Sequence, residues 1–200
     1  MKQLKKLVCT FLALALVFTS VLSKEVKAQK PEKVKQEDRV NYLFPKGIPS
    51  SEKEMKKYLK TIKVPIRVRK VTKKGKVKLK KSSMKITVHK KLASNYKKAF
   101  KEMYKEKFPI KKNETSTYAW RMLSGSSLMS THSFGAAIDI NWLDNPTVSD
   151  FNYKPKSGPY VINSKIVNIW KRYGFSWGGS WSGEFRDLMH FEYLTSNDVK

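Results

Sequence analysis

Alternation of apolar and basic side chains is strongest in residues 61–88, which read TIKVPIRVRKVTKKGKVKLKKSSMKITV. A period of two is typical of β-strands that place one face on a core and the other in water. The Thr72–Gly75 stretch is typical of a turn, and Ser82-Ser83 interrupts the alternation a second time. The sequence therefore predicts a small antiparallel meander with one apolar face and one lysine-rich face. Pro65 cannot donate a ladder hydrogen bond, so its strand is predicted at a sheet edge.

Helical spacing appears on both sides of this meander. A short helix is predicted at residues 51–60, and apolar stripes predict amphipathic helices over residues 92–107 and 161–173. Further strands are predicted at residues 117–124, 134–142 and 190–193. Two main helices packed on a mostly antiparallel sheet define an α+β domain.

The start of the chain has the pattern of an export signal. Lysines at positions 2, 5 and 6 precede an apolar run over residues 7–22, and Val26 and Ala28 are small residues suited to a cleavage site. We predict a secretory signal peptide over residues 1–28, with an uncleaved membrane anchor as the alternative. Residues 29–50 contain three prolines and are interpreted as a linker, followed by one domain over residues 51–200. The expected location is outside the cell or associated with its wall.

The positive charge is concentrated in one part of the chain. Of the formal net charge of +26, residues 51–112 carry +20, whereas residues 113–200 are neutral on balance. Such a division predicts a polyanionic partner for the basic part, either anionic wall polymers or a membrane surface. The alternative is a solvated surface that keeps an exported protein soluble. The export signal argues against nucleic acid as a physiological partner.

Two histidines stand among residue types that hold metal ions. His132 precedes Asp139 by seven residues, and Asp187 precedes His190 by three. Imidazole nitrogens and carboxylate oxygens bind zinc, and three protein ligands leave the fourth position to water in catalytic sites. The single cysteine, Cys9, lies in the predicted signal peptide, so the mature chain must use histidines and carboxylates. Taken separately, each of these residues could instead be structural, which is the interpretation for the third histidine, His89.

Three sequence motifs resemble those of the M15 metallopeptidases. The first is Ser130-x-His132-x-x-Gly135-x-Ala137-x-Asp139, the second is Trp177-Gly178-Gly179-x-Trp181, and the third is Asp187-x-x-His190-Phe191-Glu192. The family includes VanY-type D-alanyl-D-alanine carboxypeptidases and L-alanyl-D-glutamate endopeptidases. Its zinc fold is shared with the lysostaphin and hedgehog groups. The sequence departs from the family at Ser180, where relatives commonly have Asp.

This resemblance implies a role for each residue of the site. His132, Asp139 and His190 match the zinc ligands, and Asp187 matches the catalytic base. Arg121 matches the arginine that polarises the scissile carbonyl. Ser130, Trp177 and Trp181 are candidates for substrate contact, although a core role is open for both tryptophans.

The resulting expectation is an exported zinc peptidase that cuts peptidoglycan stem peptides, as a carboxypeptidase or as an endopeptidase. Two alternatives remain open. The chain could be a catalytically inactive cationic wall-binding protein, or a membrane-active protein that depends on the lysine-rich part alone.

Overall fold

The computed structural model describes residues 35, 38–150, 152–154 and 157–199, without the side chains of residues 196 and 197. All of them belong to one compact unit, Pro31–Lys200. The predicted signal peptide and the first part of the predicted linker lie outside the described residues. Among those that are described, no helix is both long and apolar enough to cross a membrane.

The elements are short apart from two strands and one helix. The α-helices are Arg39–Leu43 (α1), Glu52–Met55 (α2), Ala93–Lys105 (α3) and Ser164–Arg172 (α4). The strands are Leu59–Val71 (β1), Val77–His89 (β2), Thr115–Ser116 (β3), Ala137–Ile140 (β4), Thr147–Val148 (β5), Ser176–Trp177 (β6), Arg186–Asp187 (β7) and His190–Glu192 (β8). Single 3-10 turns occur at Lys56–Tyr58, Lys90–Leu92, Lys112–Glu114, Thr131–Phe134, Gly178–Ser180 and Ser196–Val199.

The described strands form three antiparallel sheets. Strands β1 and β2 make a long two-stranded hairpin, and β5 pairs with β7. The central sheet has the order β3-β4-β8-β6. The prediction of an α+β domain with antiparallel sheets and two main helices is confirmed, since α3 and α4 occupy the two predicted amphipathic segments.

The predicted three-stranded meander is wrong in its strand number. Ser82 and Ser83 do not end a strand, because they pair with Ile66 and Pro65 in an uninterrupted ladder. The serines instead mark the point at which the apolar positions of β2 change from one face to the other. Pro65 does lie in an edge strand, because the β1–β2 sheet has only two strands.

The helices and the central sheet enclose an aromatic core. Phe191 of β8 stacks on Trp170 of α4, with ring centroids 5.4 Å apart, and Tyr96 of α3 meets Trp170 edge to face. Burial of each such side chain stabilises the fold by roughly 1.5–3 kcal/mol. One face of the central sheet is therefore fixed on this core, which leaves its other face to carry polar residues.

Two segments differ from their sequence predictions because of tertiary packing. Part of the predicted linker is folded onto the domain, because α1 leads into Leu43 and Phe44, which are fully buried in the core. The segment predicted as a strand at residues 117–124 forms no strand. Its backbone groups bond instead to the turn that carries His132, and Arg121 N–H, for example, donates to Ser133 Oγ at 2.9 Å.

His89 is buried beneath aromatic side chains at the end of β2. It meets Phe44 edge to face and stacks on Tyr58. Burial, with the nearby charges of Lys91 and Lys90, lowers the pKa of His89 from 6.5 to about 4. The folded protein therefore keeps this imidazole neutral in a pH range where the unfolded chain would protonate it.

This depressed pKa predicts a loss of stability in mild acid. As the pH falls from 6.5 towards 4, the unfolded chain binds a proton that folded His89 does not, which favours unfolding. We expect this group to lower the free energy of unfolding by about 2 kcal/mol between pH 7.5 and pH 5. Denaturant titrations of the wild type and His89→Asn at both pH values measure the difference. Equal pH dependence in the two proteins would contradict it.

Candidate active site

His132 is held by a short turn between Ser130 and Gly135. The Ser130 hydroxyl accepts a hydrogen bond from His132 N–H, and Gly135 ends the turn with a left-handed φ of +59°. A Cβ at position 135 would lie 2.5 Å from the backbone nitrogen of His89. Glycine is therefore required at the point where the turn packs against the end of β2, and this packing fixes His132.

Asp139 and His190 are brought together by strand register. They are direct cross-strand partners in the β4–β8 ladder, so both side chains stand on the same face of the central sheet. Their neighbours Ile138 and Phe191 are also paired, on the face that packs on the core. The alternation of the two strands thus separates the polar site from the core.

Three side chains converge in a geometry suited to one metal ion. His132 Nε2 lies 3.2 Å from Asp139 Oδ2, and His190 Nδ1 lies 2.9 Å from Asp139 Oδ1. The two imidazole nitrogens are 3.3 Å apart. Donor atoms of all three residues lie within 4.8 Å of one another.

Hydrogen bonds on the far side of each imidazole fix which nitrogen faces this point. His132 Nδ1 donates to the carbonyl of Thr117, and His190 Nε2 donates to Glu192 Oε2 at 3.2 Å. Thr131 Oγ1 donates to the same Glu192 oxygen at 3.1 Å. The remaining nitrogens, His132 Nε2 and His190 Nδ1, therefore face Asp139, and with a metal ion in place of a proton they would present their lone pairs to it.

The electrostatics of the cluster favour positive charge. Burial disfavours a charged His190, yet hydrogen bonds to Asp139 and Glu192 raise its pKa to about 10. Burial likewise raises the pKa of Asp139, but hydrogen bonds to His132 and His190 outweigh it and hold this pKa well below its usual range. The carboxylates that stabilise a proton here would equally stabilise a bound cation. The donor set and its orientation fit a zinc ion.

Asp187 lies beside the cluster on strand β7. Its cross-strand partner Thr147 donates a hydrogen bond to Asp187 Oδ1 at 3.1 Å. Burial is the main cause that raises the Asp187 pKa, and the charge of Asp139 adds to it. Gly178 allows this segment to approach, because a Cβ there would lie 2.6 Å from the Asp187 carbonyl oxygen. A carboxylate with a raised pKa is suited to accept and return a proton.

The cluster opens into a cleft of about 640 Å³. Seven of the residues predicted for the site line it, namely Arg121, Ser130, His132, Asp139, Trp181, Asp187 and His190. The Trp181 ring lies 5.5 Å from that of His190, between centroids, and 6.0 Å from Phe185, which is 46% exposed. The cleft is therefore lined by titratable groups, by the permanently charged guanidinium of Arg121 and by aromatic side chains.

The backbone of Arg121 is tied to the turn that carries His132. Arg121 N–H donates to Ser133 Oγ, and Ser130 N–H donates to the Arg121 carbonyl at 3.0 Å. Ser133 is fully buried, and its hydroxyl also lies 2.8 Å from the Arg121 carbonyl oxygen. The backbone of Arg121 and the turn that carries His132 are thus held together by Ser130 and Ser133.

Trp177 does not line the cleft, so the prediction that it contacts substrate is not supported by its placement. Its indole N–H donates to the Leu188 carbonyl at 2.9 Å, and its ring packs where a Cβ on Gly179 would stand. The half-buried ring therefore packs on the chain itself, and its hydrogen bond ties Trp177 to the segment that leads from Asp187 to His190.

Sequence reasoning missed three partners of the site residues. Glu192 could have been found, because it stands two residues after His190 on a strand and so shares its face. Thr147 and the carbonyl of Thr117 carry no such signal, because they reach Asp187 and His132 only through the fold.

The candidate site lies in a segment that matches a known protein family. An M15 peptidase family model described as D-alanyl-D-alanine carboxypeptidase matches residues 124–193. The match spans His132, Asp139, Asp187 and His190, whereas Arg121 lies just before it. It supports the assignment of an M15 family peptidase that the motifs predicted. No curated protein and no solved structure matched the chain.

Proposed function

We propose that this chain, with its M15 peptidase segment at residues 124–193, is an exported zinc-dependent peptidase that hydrolyses peptidoglycan stem peptides. The observation that carries the proposal is the convergence of His132 Nε2, Asp139 Oδ and His190 Nδ1 beside Asp187 in one open cleft. The description of the matching family favours a carboxypeptidase acting on D-alanyl-D-alanine ends over an endopeptidase.

His132, Asp139 and His190 would hold the zinc ion. When bound, the ion lowers the pKa of a water molecule from 15.7 to about 7 and polarises the scissile carbonyl. Asp187 accepts the proton of the attacking water and returns it to the leaving amine, a role that suits its raised pKa. The guanidinium of Arg121, at the rim of the same cleft, stabilises negative charge on the carbonyl oxygen or on the terminal carboxylate of the peptide.

The serine side chains of the cleft suit a small polar substrate. Ser124, Ser126 and Ser130 line it together with the aromatic side chains of Trp181 and Phe185. Short hydroxyl side chains leave room for alanine methyl groups and offer hydrogen bonds to peptide amides. We propose Ser130 and Trp181 as substrate contacts.

The basic part, residues 51–112, is proposed to keep the exported enzyme near its polymeric substrate. Its net charge of +20 attracts anionic wall polymers or the membrane surface, and added salt weakens such attraction. Nucleic acid would bind the purified protein through the same charge without being its physiological partner.

Digestion of purified peptidoglycan by residues 31–200, with and without a chelator, tests the proposed reaction. Mass spectrometry of the soluble peptides is expected to show loss of a single terminal alanine that stops when the chelator is added. New internal amino termini would identify an endopeptidase instead. Binding to the walls with no cleavage in the presence of zinc would contradict the proposal and favour an inactive wall-binding protein.

Glu192 is predicted to control metal affinity through His190. Removing the partner of a ligating histidine typically weakens metal binding by about 10- to 100-fold, and we expect this loss in Glu192→Ala. Glu192→Gln keeps an acceptor for His190 Nε2–H and should lose less. Competition with a chromogenic chelator measures the affinities, with Glu184→Gln, an exposed acid, as the matched control. Unchanged zinc affinity in Glu192→Ala would show that Glu192 does not support the site.

A further inference from the structure

The outer half of the β1–β2 hairpin exposes aliphatic side chains. In the uninterrupted ladder Val71 pairs with Val77, and Leu79 pairs with Arg69. These positions lie on the opposite face of the hairpin from core residues such as Ile62 and Val64, because side chains alternate along a strand. Val71 is 72% exposed, Val77 48% and Leu79 41%.

Cations surround these three side chains. Residues 67–81, which we call the basic arm, contain nine lysines or arginines and no acidic residue. Lys70, Lys78 and Lys80 are exposed on the face opposite the aliphatic trio, and three more lysines lie in or beside the turn that joins the strands. The arm is therefore amphipathic, with a basic face, a partly aliphatic face and a basic tip.

The aliphatic surface continues from the arm onto the body of the protein. Val77 and Leu79 share an open cleft of about 610 Å³ with Phe108, Pro109 and Ile166, among other residues. Cationic groups stand at its edge, namely Arg69, Lys107 and Lys165, the last paired with Glu106 at 2.8 Å. This cleft shares no lining residue with the candidate active site.

We propose that the basic arm is an interfacial anchor for an anionic phospholipid bilayer. The lysines of its tip, Lys73, Lys74 and Lys76, meet the headgroup phosphates, while Val71, Val77 and Leu79 enter the boundary between headgroups and acyl chains. Anionic wall polymers would engage the lysines but would leave the aliphatic trio in water. A second copy of the arm is an unsuitable partner, because two such surfaces repel each other. The anchor requires export and does not depend on peptidase activity.

Co-sedimentation of residues 31–200 with vesicles tests the anchor without any substrate. This compact unit is used because the apolar run at residues 7–22 would bind lipid by itself. We expect binding to vesicles that contain phosphatidylglycerol and little binding to pure phosphatidylcholine. Lys73→Gln/Lys74→Gln/Lys76→Gln, at the tip beside Val71 and Val77, should lower the partition coefficient by about 100-fold, since each basic residue near the surface contributes roughly a factor of five. Val71→Ser/Val77→Ser/Leu79→Ser should lower it by about tenfold or more.

The matched control removes the same number of lysine charges from helix α3 instead of from the basic arm. Lys97→Gln/Lys98→Gln/Lys101→Gln removes three exposed lysines and should cost no more than about fivefold, through the long-range field alone. Thermal unfolding checks that every variant is folded. Equal losses in the two lysine triples would refute a localised anchor. Unchanged vesicle binding in the serine triple would show that the aliphatic side chains do not enter the bilayer and would overturn the proposal. No vesicle binding by the wild type would also overturn it, and strong binding to isolated walls by the same protein would assign the arm to wall polymers.

Discussion

Replacing Asp187 with Asn is expected to lower kcat by about 10²- to 10⁴-fold, the usual contribution of a positioned general base. The asparagine side chain has nearly the same size as aspartate but could neither accept nor return a proton. Asp187 is not among the three residues whose donor atoms converge, so the zinc content should not change. Single-turnover kinetics on a peptide ending in D-alanyl-D-alanine, with metal analysis of the same samples, measure both quantities.

The pH profile separates a base from a merely structural carboxylate. Because burial raises the pKa of Asp187, the wild-type rate should fall on the acid side at a higher pH than an ordinary aspartate would give. The rate falls as the pH is lowered because a protonated base cannot accept the proton of the attacking water. Asp150→Asn, a change at another acidic residue outside the cleft lining, is the control and should leave the profile unaltered. Activity near the wild-type value in Asp187→Asn would show that another group is the base.

Replacing His190 with Ala is expected to abolish stoichiometric zinc binding and to lower activity at least as far as loss of the base does. The variant removes one of the three proposed ligands and leaves Asp139 without the hydrogen bond from its cross-strand partner. His89→Asn is the matched control, because the third histidine is buried beside Phe44 and Tyr58 and should not affect zinc content. Retention of zinc and activity in His190→Ala would remove His190 from the site.

The site could be predicted from the sequence because its geometry follows from local rules. Asp139 and His190 each stand in a strand of apolar neighbours, so a single antiparallel pairing places them on one face. His132 stands between Ser130 and Gly135, residues that begin and end a tight turn. The role of Glu192 is not part of the prediction, although its spacing of two residues from His190 places both side chains on the same face of a strand.

The hairpin was mispredicted because an alternating pattern does not reveal where a strand ends. Leu79 and Met84 are five residues apart, so they fall on opposite faces of one continuous strand. The sequence pattern was interpreted as two strands separated by Ser82-Ser83. Only the cross-strand ladder shows that the apolar positions change face, and this change exposes the aliphatic side chains of the basic arm.

Tertiary packing accounts for the other differences between the sequence predictions and the structure. Leu43 and Phe44 follow a polar, proline-containing stretch, and nothing local distinguishes them from linker residues until the core covers them. Trp177 resembles a cleft aromatic by its motif, yet its indole N–H donates to the Leu188 carbonyl and the residue does not line the cleft. Leu43 and Phe44 are placed by packing in the core, and Trp177 by a hydrogen bond to Leu188, which follows eleven residues later. Neither contact has a signal in the local sequence.

Zinc titration of the stripped protein is the most direct test of a metal-dependent peptidase built from His132, Asp139 and His190. Residues 31–200 would be freed of metal with a chelator and assayed for release of D-alanine from a peptide ending in D-alanyl-D-alanine. We expect no release at the start and activity that rises in proportion to added zinc until one ion is bound per chain. Full activity in the stripped protein, or zinc bound at this stoichiometry with no cleavage of any stem peptide, would contradict it.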